Sequence, residues 1–528
     1  MPKGYLALVL HAHLPYVRHP EHERFLEEDW LYEGVTETYV PLVDVMDGWD
    51  RDGVPWRLTM SLTPPLCAML GDPLLRDRCA AHLQRLSELC GKEVVRTRFD
   101  GHLSYLARHY RERIDAVLAT WRRHDGDLVA AFRGHQDRGN LEVLTCAATH
   151  AYLPLMAHEP RAVWAQIKVA VDDYVRHFGR PPRGIWLPEC GYVPGLDVVL
   201  RDAGLRFFVM DAHGILLADP RPRYGNFAPL FCPRSGVAAF GRDLESSVQV
   251  WSKERGYPGD PVYREFYRDV GYDLPFDYVA PYVQPTGARK NTGIKYHRVT
   301  GDVDLGDKQL YDPYWARERA AEHAGNFLFN RGRQIEWLAE RMGRPPLVLS
   351  PYDAELLGHW WYEGPWWLDY LVRRAGRGQH PFELMHLAGY LEQNPTQQRS
   401  QPAQSSWGDK GYHEYWLNDT NSWIYPHLDR AAERMALLAR THTRTDGLAA
   451  RALNQAAREL LLAQSSDWAF IMKSGTMVDY ATGRTRSHLR RFLALASQIH
   501  AGEIDAGWLQ RLEQADNVFP AIDFRVYA

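Results

Sequence analysis

Residues 184–192 read GIWLPECGY, and residues 347–361 read LVLSPYDAELLGHWW. Each opens as an apolar run of β type and delivers a carboxylate, Glu189 or Asp353, where the run ends. Pro188 cannot donate to a strand ladder, so the first strand is expected to stop there, and Gly191 permits a sharp turn just beyond it. Reactive groups at strand C-termini, followed by loop residues, are the mark of a β/α barrel, whose βα loops form the open face of the fold.

Further runs of the same type lie at 5–10, 56–62, 141–147, 207–210 and 237–240, with helical patterns between them, as at 162–178, 196–202 and 316–342. Strands that are apolar throughout and alternate with helices predict a parallel sheet covered on both faces. Seven or eight such units over about 360 residues predict closure into a barrel. The residues at the predicted strand ends are His11, His13, Thr63, Thr149, His150, Glu189, Asp211, Asp243 and Asp353. In a barrel these converge on one face. For a single member such as Asp211, the alternative of a polar residue that merely punctuates a strand end stays open.

The chain has 528 residues, which exceeds one ordinary domain and predicts a large unit with at least one smaller one. Residues 64–139 are too many for one crossover and carry helical patterns at 76–89 and 105–121, so a helical insertion is expected over about 66–135. The span 224–307 is a second excursion, rich in Gly, Pro and Tyr, with one strand at 237–240. Long irregular stretches of this kind serve as functional loops. Residues 393–404 shift to Gln, Ser, Pro and Asn and read as a linker, and helical patterns follow at 430–440, 447–464, 485–502 and 506–515. The expected organisation is a catalytic barrel over 1–395, an aromatic substrate-binding segment over 396–425 and an all-α domain over 426–528.

A formal charge of −4 and a pI near 6.6 offer no phosphate-binding surface, which argues against nucleic acid as a partner. Six cysteines are scattered without metal-type spacing and read as reduced, buried thiols of an intracellular protein. The run at 5–10 is too short for a signal peptide and ends in histidines, and nothing approaches the roughly 18 apolar residues of a membrane span. A soluble, cytoplasmic protein without membrane contact is expected. The 18 Trp and 28 Tyr include many in polar, Gly-containing segments, where core packing is not their natural use.

Glu189, on a stiff strand end between Pro and Gly, suits a nucleophile that must be aimed at about 3–3.5 Å from its target carbon. Asp353 is followed by His359, Trp360, Trp361, Tyr362, Trp366 and Trp367. Low-polarity rings raise a carboxyl pKa, as a general acid needs. Glu355 competes for that role, and Asp353 could instead cap a helix. His11 and His13 share one face of a strand. They could hold a metal together with His150 and an aspartate, or hydrogen-bond sugar hydroxyls. Trp407, Tyr412, Tyr415, Trp416 and Trp423 lie among Gly, Asp, Asn and Ser, which suits stacking on sugar rings as well as packing between domains. Paired carboxylates with many aromatics are the equipment for breaking and remaking glycosidic bonds.

HAHLPY at 11–16, THAYLP at 149–154, WLPECGY at 186–192, SPYDAELLGHWW at 350–361 and the C-terminal aromatic segment with its helices together resemble glycoside hydrolase family 57 over essentially the whole chain. The helical C-terminal part, with residues 249–269 and 291–301, resembles the family's α-1,4-glucan branching enzymes. The resemblance implies a distorted (β/α)7 barrel with a helical insertion and a C-terminal all-α domain. It also implies a retaining mechanism that needs no metal or other cofactor. It assigns Glu189 as nucleophile and Asp353 as general acid and base. It implies substrate contacts from His11, His13 and His150, and from Trp407, Trp416, Asp467 and Trp468, to which the aromatic setting of Asp353 adds Trp360. The implied partner is an α-glucan such as amylose or a glycogen-like polysaccharide, and the implied reaction is formation of α-1,6 branches. A mainly hydrolytic α-amylase-like enzyme or a 4-α-glucanotransferase of the same family is the alternative. A metal-dependent deacetylase or amidohydrolase built on His11 and His13, and a glucan-binding protein with a decayed site, are the readings from other classes. Branching members of the family carry a tyrosine at the tip of a long loop after the fifth strand. Here 226–237, NFAPLFCPRSGV, contains none, and Tyr224 is the nearest. This departure bears on whether water or a sugar hydroxyl reaches the intermediate first.

Overall fold

The computed structural model describes residues 2–252, 254–283 and 287–528. Among the described residues there are ten strands: β1 Gly4–Ala12, β2 Leu58–Leu62, β3 Leu141–Leu144, β4 Gly184–Trp186, β5 Phe207–Met210, β6 Leu230–Phe231, β7 Ala238–Gly241, β8 Leu347–Asp353, β9 Phe382–Leu384 and β10 Gln398–Arg399. Seven of them, β8, β1, β2, β3, β4, β5 and β7, run parallel in a ring made of two ladders. Two thin seams join the ladders. Thr145 bridges to Ile185 between β3 and β4, and the Asp243 N–H donates to the Leu349 carbonyl at 2.7 Å between β7 and β8. The ring is a distorted seven-stranded barrel, and its distortion has a visible cause. The edge of β1 that pairs with β2 over Val9–Ala12 pairs with β9 over Gly4–Leu6, so an extra strand wedges into its lower half.

Strand parity fills the barrel. Tyr5, Ala7 and Val9 of β1 point inward with Trp186, Phe207, Val209, Phe240, Leu347 and Leu349. Leu6, Leu8 and Leu10 point outward into the helices. With period two, the inward row of β1 continues to His11, and that of β8 continues to Asp353. The ladders hold these ends level, pairing His11 with Ser61 on one side and with Asp353 on the other.

Between β2 and β3 the chain forms helices Pro73–Arg96, Gly101–Arg123 and Leu128–Asp137, capped by Asp72, Asp100 and Asp127, whose carboxylates accept from first-turn N–H groups. The 30-residue helix Pro313–Met342 starts at Asp312 with Pro313 in its first turn and stops at Gly343, which takes the left-handed conformation. Helices Tyr425–Thr441, Gly447–Ala463, Ser466–Ser474, Val478–Ala501 and Ala506–Ala515 form the C-terminal all-α part. Within it His488 Nδ1–H donates to Glu459 at 2.7 Å, Arg484 donates to His488 Nε2 at 3.0 Å, and Arg491 pairs with Asp516. That cluster satisfies itself and holds the helices together. All six cysteines are buried and unpaired. Among the described residues no helix is long and apolar enough to cross a membrane.

Three expectations need correction. The stretch 393–404 is not a free linker, because β10 pairs with β6, and Asp219 and Tyr192 bridge to Gln401 and Ser405. Asp243 does not join the other strand-end residues. Its carboxylate caps helix Leu244–Trp251 through the Ser246 N–H and accepts from Arg331 at 3.1 Å and Gln334 at 3.0 Å. Finally, 226–237 is no lid. β6 and β7 form an antiparallel hairpin whose turn at 232–237 precedes the N-terminal end of β7, opposite the end that carries the carboxylates.

Asp243→Ala should therefore destabilise the protein. It leaves the fully buried Arg331 with the exposed Glu245 as its remaining carboxylate partner. Breaking one side of a buried ion pair costs about 3 kcal/mol or more. The expected result is a lower urea midpoint for Asp243→Ala, and little change for Glu245→Ala.

Candidate active site

Glu189 follows β4 in a turn that L-residues rarely adopt, with φ +59° at Glu189 and +52° at Cys190. Each such residue costs about 1 kcal/mol or more and persists only where its surroundings over-determine it. Here Cys190 N–H donates to the Leu187 carbonyl, Gly191 N–H to Pro188, and Trp407 N–H to the Glu189 carbonyl at 3.0 Å. Gly191 is required for the approach of the segment after β3, because a Cβ there would lie 2.6 Å from the Tyr152 ring. His150, in that segment, is also left-handed, with φ +57°.

The Glu189 carboxylate receives two side-chain donors from outside the barrel strands. Trp407 Nε1–H donates to Oε2 at 2.8 Å, and the Ser466 hydroxyl lies 3.4 Å from Oε1. Burial lifts the Glu189 pKa to about 7. The Trp407 hydrogen bond works against that rise, and the Asp467 and Asp353 charges add to it. Burial lifts Asp353 to about 6, opposed by the His13 and Arg242 charges. Glu355 also stands at about 7, raised by burial. It accepts from the His13 backbone N–H at 3.1 Å and from the Tyr39 hydroxyl. Glu355 thus holds its own strand-end geometry, whereas the Asp353 carboxylate makes no hydrogen bond among the described residues.

The three predicted histidines meet. His13 stacks on His150 with ring centres 3.8 Å apart and 12° between planes, and His11 stacks on Trp186 at 4.6 Å. His13 Nε2 contacts both Asp467 oxygens, at 3.0 and 3.1 Å, while its Nδ1 meets Thr63 at 3.0 Å. Burial disfavours charge on His13, but the Asp467 carboxylate outweighs it and raises the pKa above the usual value. Burial, with the His150 and His13 charges, pushes His11 well below its usual value, and burial with His13 does the same to His150 against the Asp467 charge. Asp467 falls to about 2 against burial because of His13. His13, His150 and Asp467 are close enough to suggest a metal triad. Metal ligation uses the in-plane lone pair of each ring, and two parallel stacked rings cannot both aim one at the same ion. The arrangement suits hydrogen bonding instead.

The aromatic residues divide. Trp407 lines the carboxylate and packs edge-on to Trp186. Trp416 and Trp468 are fully buried: Trp416 stacks on Tyr152 at 4.3 Å, and Trp468 donates to the Leu462 carbonyl. Their rings offer no face to a sugar, so the expectation of direct contact is replaced by packing beneath the site. Trp360 is 57% exposed and stacks on Phe266 of the 224–307 excursion, while its backbone N–H donates to the Glu355 carbonyl at 3.1 Å. Sequence reasoning missed Ser61, Tyr39, Ser466 and Arg242. Arg242 pairs with Asp211 at 2.7 Å and lies over the Trp407 ring. Ser61 was legible as the residue two before Thr63 on the same strand face. Arg242 was legible in the same way, two residues after the inward Phe240, whereas Tyr39 and Ser466 carried no local signal.

Residues 7–400 match the family model described as glycosyl hydrolase family 57, and residues 427–527 match that described as 1,4-alpha-glucan branching enzyme, C-terminal. The crystal structure of the α-amylase AmyC from Thermotoga maritima superposes with a TM-score of 0.94 at 44% identity, covering 100% of this chain and 99% of that one. A GH57-type branching enzyme from Pyrococcus horikoshii gives 0.89 at 33% identity, over 99% and 97%. A 1,4-alpha-glucan branching enzyme from Thermococcus kodakarensis is 34% identical over 98% of this chain and 77% of its own length.

The His13–Asp467 pair yields a prediction with a definite sign. The raised His13 pKa stabilises the fold below the pKa of an unfolded histidine, and that contribution fades as pH rises through the folded value. The lowered Asp467 pKa contributes above the unfolded carboxyl value and is lost as pH falls toward about 2. In an NMR titration His13 should stay protonated above pH 6.5 while His11 and His150 stay neutral. Asp467→Asn should bring the His13 midpoint down.

Proposed function

The chain belongs to glycosyl hydrolase family 57, and we propose that it is a retaining α-glucan hydrolase of α-amylase type that cleaves α-1,4 links. The observation that carries this reading is a pair of partly buried carboxyls at the ends of β4 and β8, close enough for the charge on Asp353 to raise the pKa of Glu189. Glu189 attacks the anomeric carbon as the glycosidic bond breaks, and Asp353 gives its proton to the departing oxygen. Asp353 then takes a proton from water, and the hydroxide attacks the anomeric carbon, releasing Glu189 as a carboxylate. Trp407 and Ser466 favour the ionised nucleophile by donating to it. His11, His13 and His150 line the glycone side, and Asp467 holds His13 charged beside both carboxyls.

Two features favour water as the acceptor. The likeness to the Thermotoga maritima α-amylase is higher in identity and in superposition than the likeness to either branching enzyme. The segment that leaves β5 toward the site, from Asp211 through helix Ala212–Leu216, contains no tyrosine before Tyr224. Branching is the second reading, and the match of residues 427–527 to the branching-enzyme C-terminal model favours it. In that reading Asp353 deprotonates a glucan 6-hydroxyl in place of water. We assign amylose or a glycogen-like polysaccharide as the substrate in either case.

Glu189→Gln and Asp353→Asn, which remove only ionisation, should each lower turnover at least about a thousandfold with the fold intact; near-normal turnover would remove that residue from its role. The plot of kcat/KM against pH should be a narrow bell with limbs between about 6 and about 7, since the active form holds one proton on the carboxyl pair. On amylose, reducing sugar should exceed new 1,6-linkages as read by proton NMR. A product rich in 1,6-linkages with almost no reducing sugar would make branching the better reading.

A further inference from the structure

We propose that Ser466, at the start of a C-terminal helix, is a positioning residue for Glu189, fed by a one-way hydrogen-bond chain that begins at Ser61. The inference rests on the reading of Glu189 as nucleophile. Four contacts make the chain. Ser61 Oγ lies 3.2 Å from His11 Nδ1, His11 Nε2 lies 3.0 Å from His150 Nε2, His150 Nδ1 lies 2.9 Å from Ser466 Oγ, and Ser466 Oγ lies 3.4 Å from Glu189 Oε1. All four chain residues are buried.

The direction follows from counting protons. Each neutral imidazole carries one N–H. A contact between two Nε2 atoms needs one donor and one acceptor, so one ring is protonated on Nε2 and the other on Nδ1. If His11 donates, its Nδ1 accepts from Ser61. The His150 Nδ1–H then donates to Ser466, and the Ser466 hydroxyl hydrogen is free for Glu189. If His150 donates instead, its Nδ1 takes the Ser466 hydroxyl hydrogen, and Ser466 presents a bare oxygen to Glu189. Two acceptors would then face each other whenever Glu189 is ionised. The ionised nucleophile therefore selects the first arrangement, and a protonated Glu189, donating to Ser466, permits the second. No bond between heavy atoms changes; the two states differ by the one proton that Glu189 holds. Ser466 is itself fixed, because its backbone N–H donates to the His150 carbonyl at 3.1 Å and Ser465 bridges to Ala151.

Glu189 is also faced by Asp353 from β8, His13 from β1, Asp467 from the C-terminal helix, and the Tyr152 phenol and Cys146 and Cys190 thiols from the neighbouring turns. Arg242 stands beyond Cys190. None of these is altered by removing one hydroxyl at position 466.

The test is the pH profile of kcat/KM on a soluble maltooligosaccharide for full-length Ser466→Ala, Ser61→Ala and the double variant, with Ser466→Thr retaining a hydroxyl. Ser466→Ala should move the ascending limb up by about half to one pH unit and lower the plateau roughly tenfold, mostly in kcat. Ser61→Ala, which does not touch Glu189, should move the same limb in the same direction by less. The double variant should match Ser466→Ala, because a broken chain cannot be broken again. Ser466→Thr should restore the limb. An unmoved limb in Ser466→Ala, or additive shifts in the double variant, would overturn the inference. Glu189→Gln separates the two levels: if it keeps turnover, the nucleophile reading fails and takes Ser466 with it. If it is inactive while Ser466→Ala keeps the wild-type limb, only the Ser466 inference fails.

Discussion

Four carboxyl groups, Glu189, Asp353, Glu355 and Asp467, are largely withdrawn from water around one charged imidazole, that of His13. Placing so much potential charge out of water is costly unless each group is neutralised, paired or given donors. The protein does all three. Asp467 is paired with His13 and pushed down to about 2, Glu355 has Tyr39 and the His13 N–H, and Glu189 has Trp407 and Ser466. Asp353 has only nearby positive charge from His13 and Arg242. Among the described residues Asp353 has no hydrogen bond to give up when it releases or regains a proton, whereas the donors at Glu189 oppose the rise that burial gives its pKa. The two similar groups thus differ in their donors.

The fold was largely readable because barrel strands are apolar throughout and therefore stand out. All seven ring strands lie where runs of that kind occur. β6, β9 and β10 went unseen because two or three residues carry no period, and their pairing is decided by neighbours far along the chain. The carboxylates were legible as strand endings, and His11 and His13 from their parity. Asp243, two residues past the end of β7, was placed against parity: the inward row runs from Phe240 to Arg242, and the Asp243 side chain turns outward to Arg331. Trp416 and Trp468 were misjudged because an aromatic among polar neighbours looks exposed in sequence, whereas burial depends on Tyr152 and on the helix carrying Arg484. Ser466 could not have been found from its own segment, since its meaning lies in His150, 316 residues away.

The balance between water and sugar as acceptor turns on what covers the intermediate. The hairpin turn at 232–237 lies on the wrong end of the barrel to shield anything. Residues 401–407 instead run past Tyr192 and Glu189 and set Trp407 against the Glu189 carboxylate, with Arg242 over its ring. A side chain held this firmly on both its backbone and its ring does not fold over the site as a lid. That geometry is consistent with hydrolysis as the main outcome and with occasional transfer when a glucan chain is already seated.

His13 and Asp467 are separated by 454 residues. During synthesis at roughly 5–20 residues per second, about 20–90 s pass between the emergence of the first and of the second. The barrel can close in that interval, yet His13 lacks its counter-charge and Glu189 lacks the Ser466 donor until the late helix docks. The catalytic machinery therefore comes into being after the barrel that houses it, and a chain made only as far as the barrel has no means of cutting the polymer around it.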